Sequence, residues 1–220
     1  MTSDGSGARD RILSRIRKRQ GKGAETSAAE RDALESHARV HPASARPQMA
    51  WEPVARFREQ ALRLASTIED VTSLDGVPAA AARYLRDQGL PLVAVCWPQL
   101  AGLPWKGAGM DIDARPARDT DLVGITGIFA AIAETGTLLT LSGPETPATA
   151  SLLPETHIAI VPASRIVHGM EEAWQLLRAE RGVPPRAVNF ISGPSRTADI
   201  EQTVTLGAHG PYRVHILLVA

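Results

Sequence analysis

Apolar and polar positions follow two spacings along the chain, one typical of helices and the other of strands. Helical spacing predicts helices at 8–20, 51–67, 78–89 and 167–182. Short, turn-bounded apolar runs predict strands at 90–97, 121–127, 135–143, 156–164, 186–193 and 212–220. Since helices separate several of these strands, the strands should pair in parallel through right-handed crossovers. The pattern therefore predicts an α/β fold in which flanking helices cover a parallel-rich sheet in layers.

The first 46 residues differ from the rest of the chain in composition. They carry ten Lys and Arg against six Asp and Glu, and they contain no Phe, Trp or Tyr. Such a segment lacks the apolar side chains for a core of its own. We therefore expect residues 1–46 to hold an amphipathic helix and a flexible linker, and residues 47–220 to form the α/β domain. The basic face of that helix is most simply a solvated surface rather than a nucleic-acid site.

Charge and cysteine content narrow the functional classes. The 24 Lys and Arg balance 24 Asp and Glu, so no net charge draws the chain to nucleic acid or to an anionic membrane. No apolar run approaches the roughly 18 residues of a membrane span, and the start has no signal-peptide core, so we expect a cytoplasmic protein without a membrane span. The one cysteine, Cys96, excludes an internal disulfide or an iron–sulfur cluster held by this chain alone. The six histidines show no zinc-type spacing, so no metal site is expected.

The segment FISGPSRTADIE (190–201) places a turn and several polar side chains directly after a predicted strand. Its Gly-Pro pair turns the chain, and Ser195 or Thr197 can cap a helix that begins at the next residues. The amino end of a helix attracts anions, and Arg196 adds a guanidinium fork suited to carboxylate or phosphate. The segment therefore predicts a site for a small carboxylate or phosphate-bearing ligand, although a plain capped turn fits the same spacing.

Two further segments carry ionisable groups beside glycine. Residues 127–136 predict a short apolar helix that ends at Glu134, where a carboxylate could serve as nucleophile or general base, or could equally be a solvated or capping residue. His209 stands in a turn before the last predicted strand, and an imidazole there can titrate near neutral pH. We predict that both segments meet the 190–201 loop in one polar pocket at the carboxyl ends of adjacent strands.

Four motifs in one order, AIAETGTLLTLSGPE, SLLPETHIAIVPASRIV, NFISGPSRTADIE and LGAHGPYRVHILLVA, resemble the LUD domain family over about residues 50–220. The resemblance implies a fold like that of NagB, ribose-5-phosphate isomerase and the CoA transferases. It also implies membership of a bacterial system that oxidises L-lactate to pyruvate together with iron–sulfur partner proteins. The resemblance carries over motif positions around these segments but not their roles. The candidates for catalysis are Glu134, Asp199 and His209. The candidates for ligand binding are Thr126, Thr135, Gly136, Thr137, Gly193, Ser195, Arg196, Thr197 and Gly210.

The function stays open among three possibilities at this point. The first is a component of the lactate-oxidising system with a small anion-binding pocket. The second is a stand-alone acyl or CoA transferase that uses Glu134, by analogy with other proteins of the wider fold group. The third is a non-catalytic regulatory or assembly subunit. The sequence contains no GxGxxG fingerprint and no cysteine cluster, so the cofactor is unknown.

Overall fold

A computed structural model describes residues 6–23, 25–41, 45–46, 48–197, 205–207 and 209–220. The chain divides into two compact units, Met1–Pro47 and Gln48–Ala220. The first unit contains two helices, α1 (Ser6–Arg19) and α2 (Ala28–Val40). The helix predicted at residues 8–20 is therefore confirmed. Ser27 and Glu30 form a capping box at the start of α2, which satisfies backbone N–H groups that the helix leaves unpaired.

The second unit alternates strands and helices along the chain. Its helices are α3 (Pro53–Arg63), α4 (Val77–Asp87), α5 (Thr149–Leu152) and α6 (Met170–Arg181). Its strands are β1 (Thr67–Val71), β2 (Val93–Cys96), β3 (Asp111–Ala114), β4 (Val123–Thr126), β5 (Ala130–Ile132), β6 (Thr137–Leu141), β7 (Thr156–Pro162), β8 (Ile166–Val167), β9 (Val188–Ile191), β10 (Arg196–Thr197), β11 (Thr205–Leu206) and β12 (Arg213–Val219). Among the described residues, no helix has both the length and the apolar character to cross a membrane.

Six of the strands form a fully parallel sheet in the order β1-β12-β7-β4-β2-β3. We call it the parallel sheet. The predicted α/β fold with a parallel-rich sheet is therefore confirmed. Strands β12 and β7 each lie between two neighbouring strands of this sheet and are buried over almost their whole length, which explains their mostly apolar sequences.

Four other strands form a second sheet in the order β8-β5-β6-β9, which we call the mixed sheet. Its β5–β6 and β6–β9 pairs are antiparallel, whereas β5 and β8 are parallel. One apolar cluster fills the space between the two sheets, with Phe57 of α3 among its members. A second cluster joins the parallel sheet to α4, and a third joins the mixed sheet to α6. The unit is thus layered as helix, parallel sheet, mixed sheet and helix.

The short helix predicted within residues 127–136 is wrong, because the segment contains strand β5. Ala131 packs into the cluster between the sheets, while Ala130 and Ile132 pack toward α6. A strand buried on both faces is apolar at every position, so its sequence cannot be told from that of a short buried helix.

The helix predicted at 51–67 ends earlier than expected, and the strand that follows it was not predicted. Helix α3 ends at Arg63, after which Ala65 adopts φ +65° and the amide of Ser66 donates to the carbonyl of Ala61. Helix ends of this kind usually have glycine at this position, so the alanine hides the end of α3 from a reading of the sequence. Strand β1 lies at the edge of the parallel sheet, where its polar residues suit a solvent-facing position.

Candidate functional site

The loop that follows β9 and the turn that precedes β12 line one cavity of about 420 Å³. The amide of Ser195 donates to the carbonyl of Pro211 over 2.8 Å, and the amide of Gly207 donates to the carbonyl of Ser195 over 2.9 Å. These backbone hydrogen bonds fix the two segments against each other. Arg196 and His209 therefore line the same cavity, as predicted from the sequence.

Glycine is required where the loop after β9 approaches α3. Gly193 has φ +77°, and a Cβ atom there would lie 2.4 Å from the carbonyl oxygen of Leu64. No other residue tolerates both the left-handed backbone and this close approach. Gly210 is less restricted, since a Cβ atom there would lie 3.4 Å from the Cβ of Ser195, a tight contact but not a prohibitive one.

The cavity contains side chains that can donate hydrogen bonds to an anion. Arg196 is exposed, and its Nη2 atom donates to the carbonyl of Leu64 over a long 3.4 Å. His209 is exposed as well. Within the described part of the chain, no Asp or Glu lines this cavity. Among the described residues, an incoming carboxylate would thus meet a guanidinium group and an imidazole but no acidic side chain.

The backbone beyond Ser195 differs from the predicted helix start. Residues Arg196–Thr197 form strand β10, which pairs antiparallel with β11 through Arg196↔Leu206 and Thr197↔Thr205. The helix predicted to begin near Ala198, and with it Asp199 and Glu201, lies outside the described residues.

The prediction that the site gathers at the carboxyl ends of adjacent strands is wrong. The turn with His209 precedes β12 and so lies at the amino end of that strand in the parallel sheet. The loop with Ser195 follows β9, which belongs to the mixed sheet. Ligands bind at the carboxyl ends of strands when those strands belong to one parallel sheet. Here the two segments come from different sheets, so this expectation does not apply.

Residues 134–136, with the sequence Glu-Thr-Gly, form the turn between β5 and β6. Hydroxyl groups connect this turn to the loop after β9. The Oγ1 atoms of Thr135 and Thr137 are 2.8 Å apart, and the Oγ1 of Thr137 is 2.7 Å from the Oγ of Ser192. A Cβ atom at Gly136, which has φ +67°, would lie 2.4 Å from the amide nitrogen of Ala61, so glycine is needed for the turn to pack on α3. The chain of three hydroxyl groups links the turn to the first residue after β9.

Glu134 itself is separate from the cavity. Its amide donates to the carbonyl of His168 over 2.9 Å, and its side chain is half-buried near Gly169. Among the described residues, the lining of the cavity includes neither Glu134 nor its two threonine neighbours. Of the three segments predicted to share a pocket, the structure brings two together.

Thr126 is also remote from the cavity. It ends β4 in the core, and its Oγ1 atom is 2.8 Å from the Nε2 atom of His157. Complete burial lowers the pKa of His157 to about 4, so this imidazole is neutral at physiological pH. The pair is a core hydrogen bond between adjacent strands.

Several lining residues were not predicted, because they are apolar or carry no charge. They are Leu64, Ser151, Leu152, Phe190 and Ile191. Leu64 and Leu152 come from the ends of α3 and α5, which tertiary packing alone brings to the cavity. The signal in the sequence that could have indicated them is a large apolar residue next to a predicted turn.

The described residues contain no cluster of three or more His, Cys, Asp or Glu side chains that could hold a metal ion. Cys96 is buried at the end of β2, and burial raises the pKa of its thiol to about 11. This thiol is therefore held in its protonated, unreactive form.

Residues 114–219 match the sequence model of the LUD domain. "Lactate utilization protein C" of Bacillus subtilis is 35% identical over 161 residues, which are 69% of this chain and 66% of that protein. The chain belongs to the LUD domain family. This LUD domain also resembles a protein of the same name from an Exiguobacterium species, at 48% identity over 100 residues, or 44% of each chain. The chain thus aligns with between 44% and 66% of the length of these two relatives.

The fold of the LUD domain has a counterpart among solved structures. The crystal structure of a DUF162 family protein from Deinococcus radiodurans matches it with a TM-score of 0.57 and 25% sequence identity. The match covers 80% of this chain and 100% of the other. The two-sheet core described above is therefore shared with a protein of known structure.

Proposed function

We propose that this LUD domain protein is a component of a bacterial L-lactate utilization system, in which it binds an organic anion between the loop after β9 and the turn before β12. The names of its Bacillus and Exiguobacterium relatives support the link to lactate. The observation that carries the binding role is that Arg196 and His209 line one cavity whose described lining has no acidic residue.

Arg196 is the main anion ligand in this proposal. Its guanidinium group is exposed and makes only one long hydrogen bond, to a backbone carbonyl, among the described residues. Its remaining N–H groups can donate hydrogen bonds to both oxygens of a carboxylate. A hydrogen bond to a charged group contributes about 1.5–3 kcal/mol, which corresponds to roughly a tenfold to hundredfold change in affinity.

In this proposal, iron–sulfur partner proteins carry out the redox chemistry of the system. The only cysteine of the chain is buried and protonated, so this chain has no thiolate set for a cluster. Glu134 lies outside the cavity among the described residues, which favours an anion-binding component over a transferase with Glu134 as nucleophile. The partners would act on lactate or pyruvate that this domain holds or senses.

Binding and growth experiments test the proposal with a matched pair of arginine variants. Arg196→Ala should weaken binding of L-lactate or pyruvate tenfold or more and impair growth on L-lactate of a strain that depends on this gene. Arg196→Lys should recover only part of the affinity, because an ammonium group cannot form a bidentate contact. Arg186, an exposed arginine that precedes β9, provides the control, and Arg186→Ala should leave both properties unchanged. Equal behaviour of Arg196→Ala and the unmodified protein would refute the anion site.

Activity measurements test the place of the protein in the system. The purified chain alone should not turn over L-lactate, whereas addition of the iron–sulfur proteins of the same system should give lactate-dependent reduction of an electron acceptor. Turnover by the isolated chain would contradict the proposal.

A further inference from the structure

The cavity has an apolar wall that a small anion would leave uncovered. Beside Arg196 and His209, its described lining contains three serines, two glycines and a set of large apolar and proline residues. The members of that set are Leu64, Leu152, Phe190, Ile191, Pro194 and Pro211. The polar and apolar groups belong to the same cavity, so an occupant that satisfies only the charged groups leaves the rest of the wall in water.

The size of the cavity also exceeds what lactate needs. Its volume of about 420 Å³ lies in the range of about 300–1,000 Å³ typical of pockets that enclose drug-sized ligands. Lactate consists of a carboxylate, one hydroxyl group and a methyl group. It would fill only the part of the cavity next to Arg196 and His209.

Two of the wall residues present large apolar side chains that are partly exposed. Phe190 is 37% exposed and Leu152 is 38% exposed, although both belong to secondary-structure elements of the folded unit. The ring of Phe190 is held by Trp174 of α6, with 5.7 Å between the ring centroids. The exposed apolar surface is therefore preformed, as expected where a ligand supplies the missing contacts.

We propose that this site prefers a carboxylate with a large apolar or aromatic side chain and binds it more tightly than lactate. The carboxylate group of such a ligand binds Arg196, and its side chain lies against Phe190 and Leu152. This inference rests on the anion site proposed above and adds the class of ligand. Hydroxy or oxo acids with a branched or aromatic side chain are members of that class.

A pair of acids with the same head group provides the probe. L-lactate and L-phenyllactate differ only in the phenyl group that phenyllactate carries, and their affinities for the full chain can be compared by isothermal titration calorimetry. Phenyllactate should bind at least tenfold more tightly, a difference of about 1.4 kcal/mol. An uncharged analogue, 3-phenyl-1-propanol, should bind more weakly than phenyllactate, because it offers no carboxylate to Arg196.

Variants of the wall separate the apolar contact from the charged contact. Phe190→Ala should lower the affinity for phenyllactate at least fivefold and leave that for lactate unchanged, and Leu152→Ala should act in the same direction. Arg196→Ala should weaken both acids. Val183→Ala is the control, since Val183 is 80% exposed and does not line this cavity, and it should affect neither acid.

The outcomes distinguish this inference from the proposed function. If lactate binds as tightly as phenyllactate, or if Phe190→Ala and Leu152→Ala leave phenyllactate binding unchanged, the apolar subsite is refuted while the anion site stands. If neither acid binds, the anion site fails and the inference fails with it. Because both wall residues are partly exposed, these variants should fold, which far-ultraviolet circular dichroism and thermal melting will verify.

Discussion

Replacement of Gly193 by alanine tests how closely the cavity loop packs on the end of α3. At this residue the backbone has φ +77°, and the added Cβ atom would lie 2.4 Å from the carbonyl oxygen of Leu64. Contacts of Cβ atoms below 3.0 Å are essentially absent from proteins, so the loop and Leu64 must separate by at least 0.6 Å, the difference between 3.0 and 2.4. Backbone atoms form both sides of this contact, so no side-chain rotation can relieve it.

The expected loss of stability combines two effects. The left-handed backbone costs a residue with a Cβ atom about 1–2 kcal/mol, offset by about 0.4–1 kcal/mol because alanine restricts the unfolded chain. Forcing an extra methyl group into a packed region costs about 1–3 kcal/mol more. We therefore expect Gly193→Ala to lower the free energy of unfolding by about 2–4 kcal/mol, or the melting temperature by about 4–16 °C.

Gly89 provides a control that isolates the backbone effect. It follows α4 with φ +65°, and a Cβ atom there would meet nothing within 4 Å. Gly89→Ala should therefore cost only about 1 kcal/mol. Urea denaturation followed by circular dichroism measures both variants against the unmodified protein. Equal destabilisation by the two substitutions would refute the close approach of the loop to Leu64.

Three other predictions concern protonation, thiol reactivity and the first unit. Burial lowers the pKa values of His157 and His215 to about 4, below the unfolded value of about 6.5, so the unfolded chain binds more protons between these pH values. The free energy of unfolding should thus fall as pH decreases from 6.5 to 4, and a flat profile by urea denaturation would contradict this. Cys96 should resist a thiol reagent at pH 8 until the protein unfolds, since its pKa is raised to about 11, and rapid labelling of the native state would argue against its burial. Deletion of residues 1–46 should leave a cooperatively unfolding domain, and a broad, non-cooperative melting curve would show that the boundary is misplaced.

The sequence predicts those helices and strands in which the apolar residues are also the buried ones. Strands β7 and β12 each lie between two neighbouring strands of the parallel sheet, so they are buried and mostly apolar, and α6 ends at a glycine as helices commonly do. The sequence does not predict strand β1, because this edge strand contains polar residues. In addition, the helix before it is followed by Ala65 rather than by the usual glycine. Strand β5 was taken for a helix because both of its faces are buried.

For the site, sequence reasoning found the groups with distinctive chemistry but not their surroundings. Arg196 and His209 were predicted to share a pocket, and they line one cavity. Their location was wrong, because no local pattern shows that the strand before Arg196 belongs to a different sheet from the strand after His209. Phe190 and Leu152 could not have been selected, since their role depends on exposure that only the packed structure defines.

The position of β12 governs the order in which the domain can form during synthesis. This strand lies between β1 and β7 and pairs with both, and its partner residue for Thr67 is His215. A ribosome releases β1 long before it releases β12, so β1 stays without its partner strand while more than a hundred further residues are synthesised. One edge of β7 stays unpaired over a shorter stretch, since its residue Thr156 pairs with Arg213. Pairings across such separations form slowly and leave unpaired strands exposed meanwhile. The nascent chain is therefore expected to depend on chaperones until residue 219 has emerged.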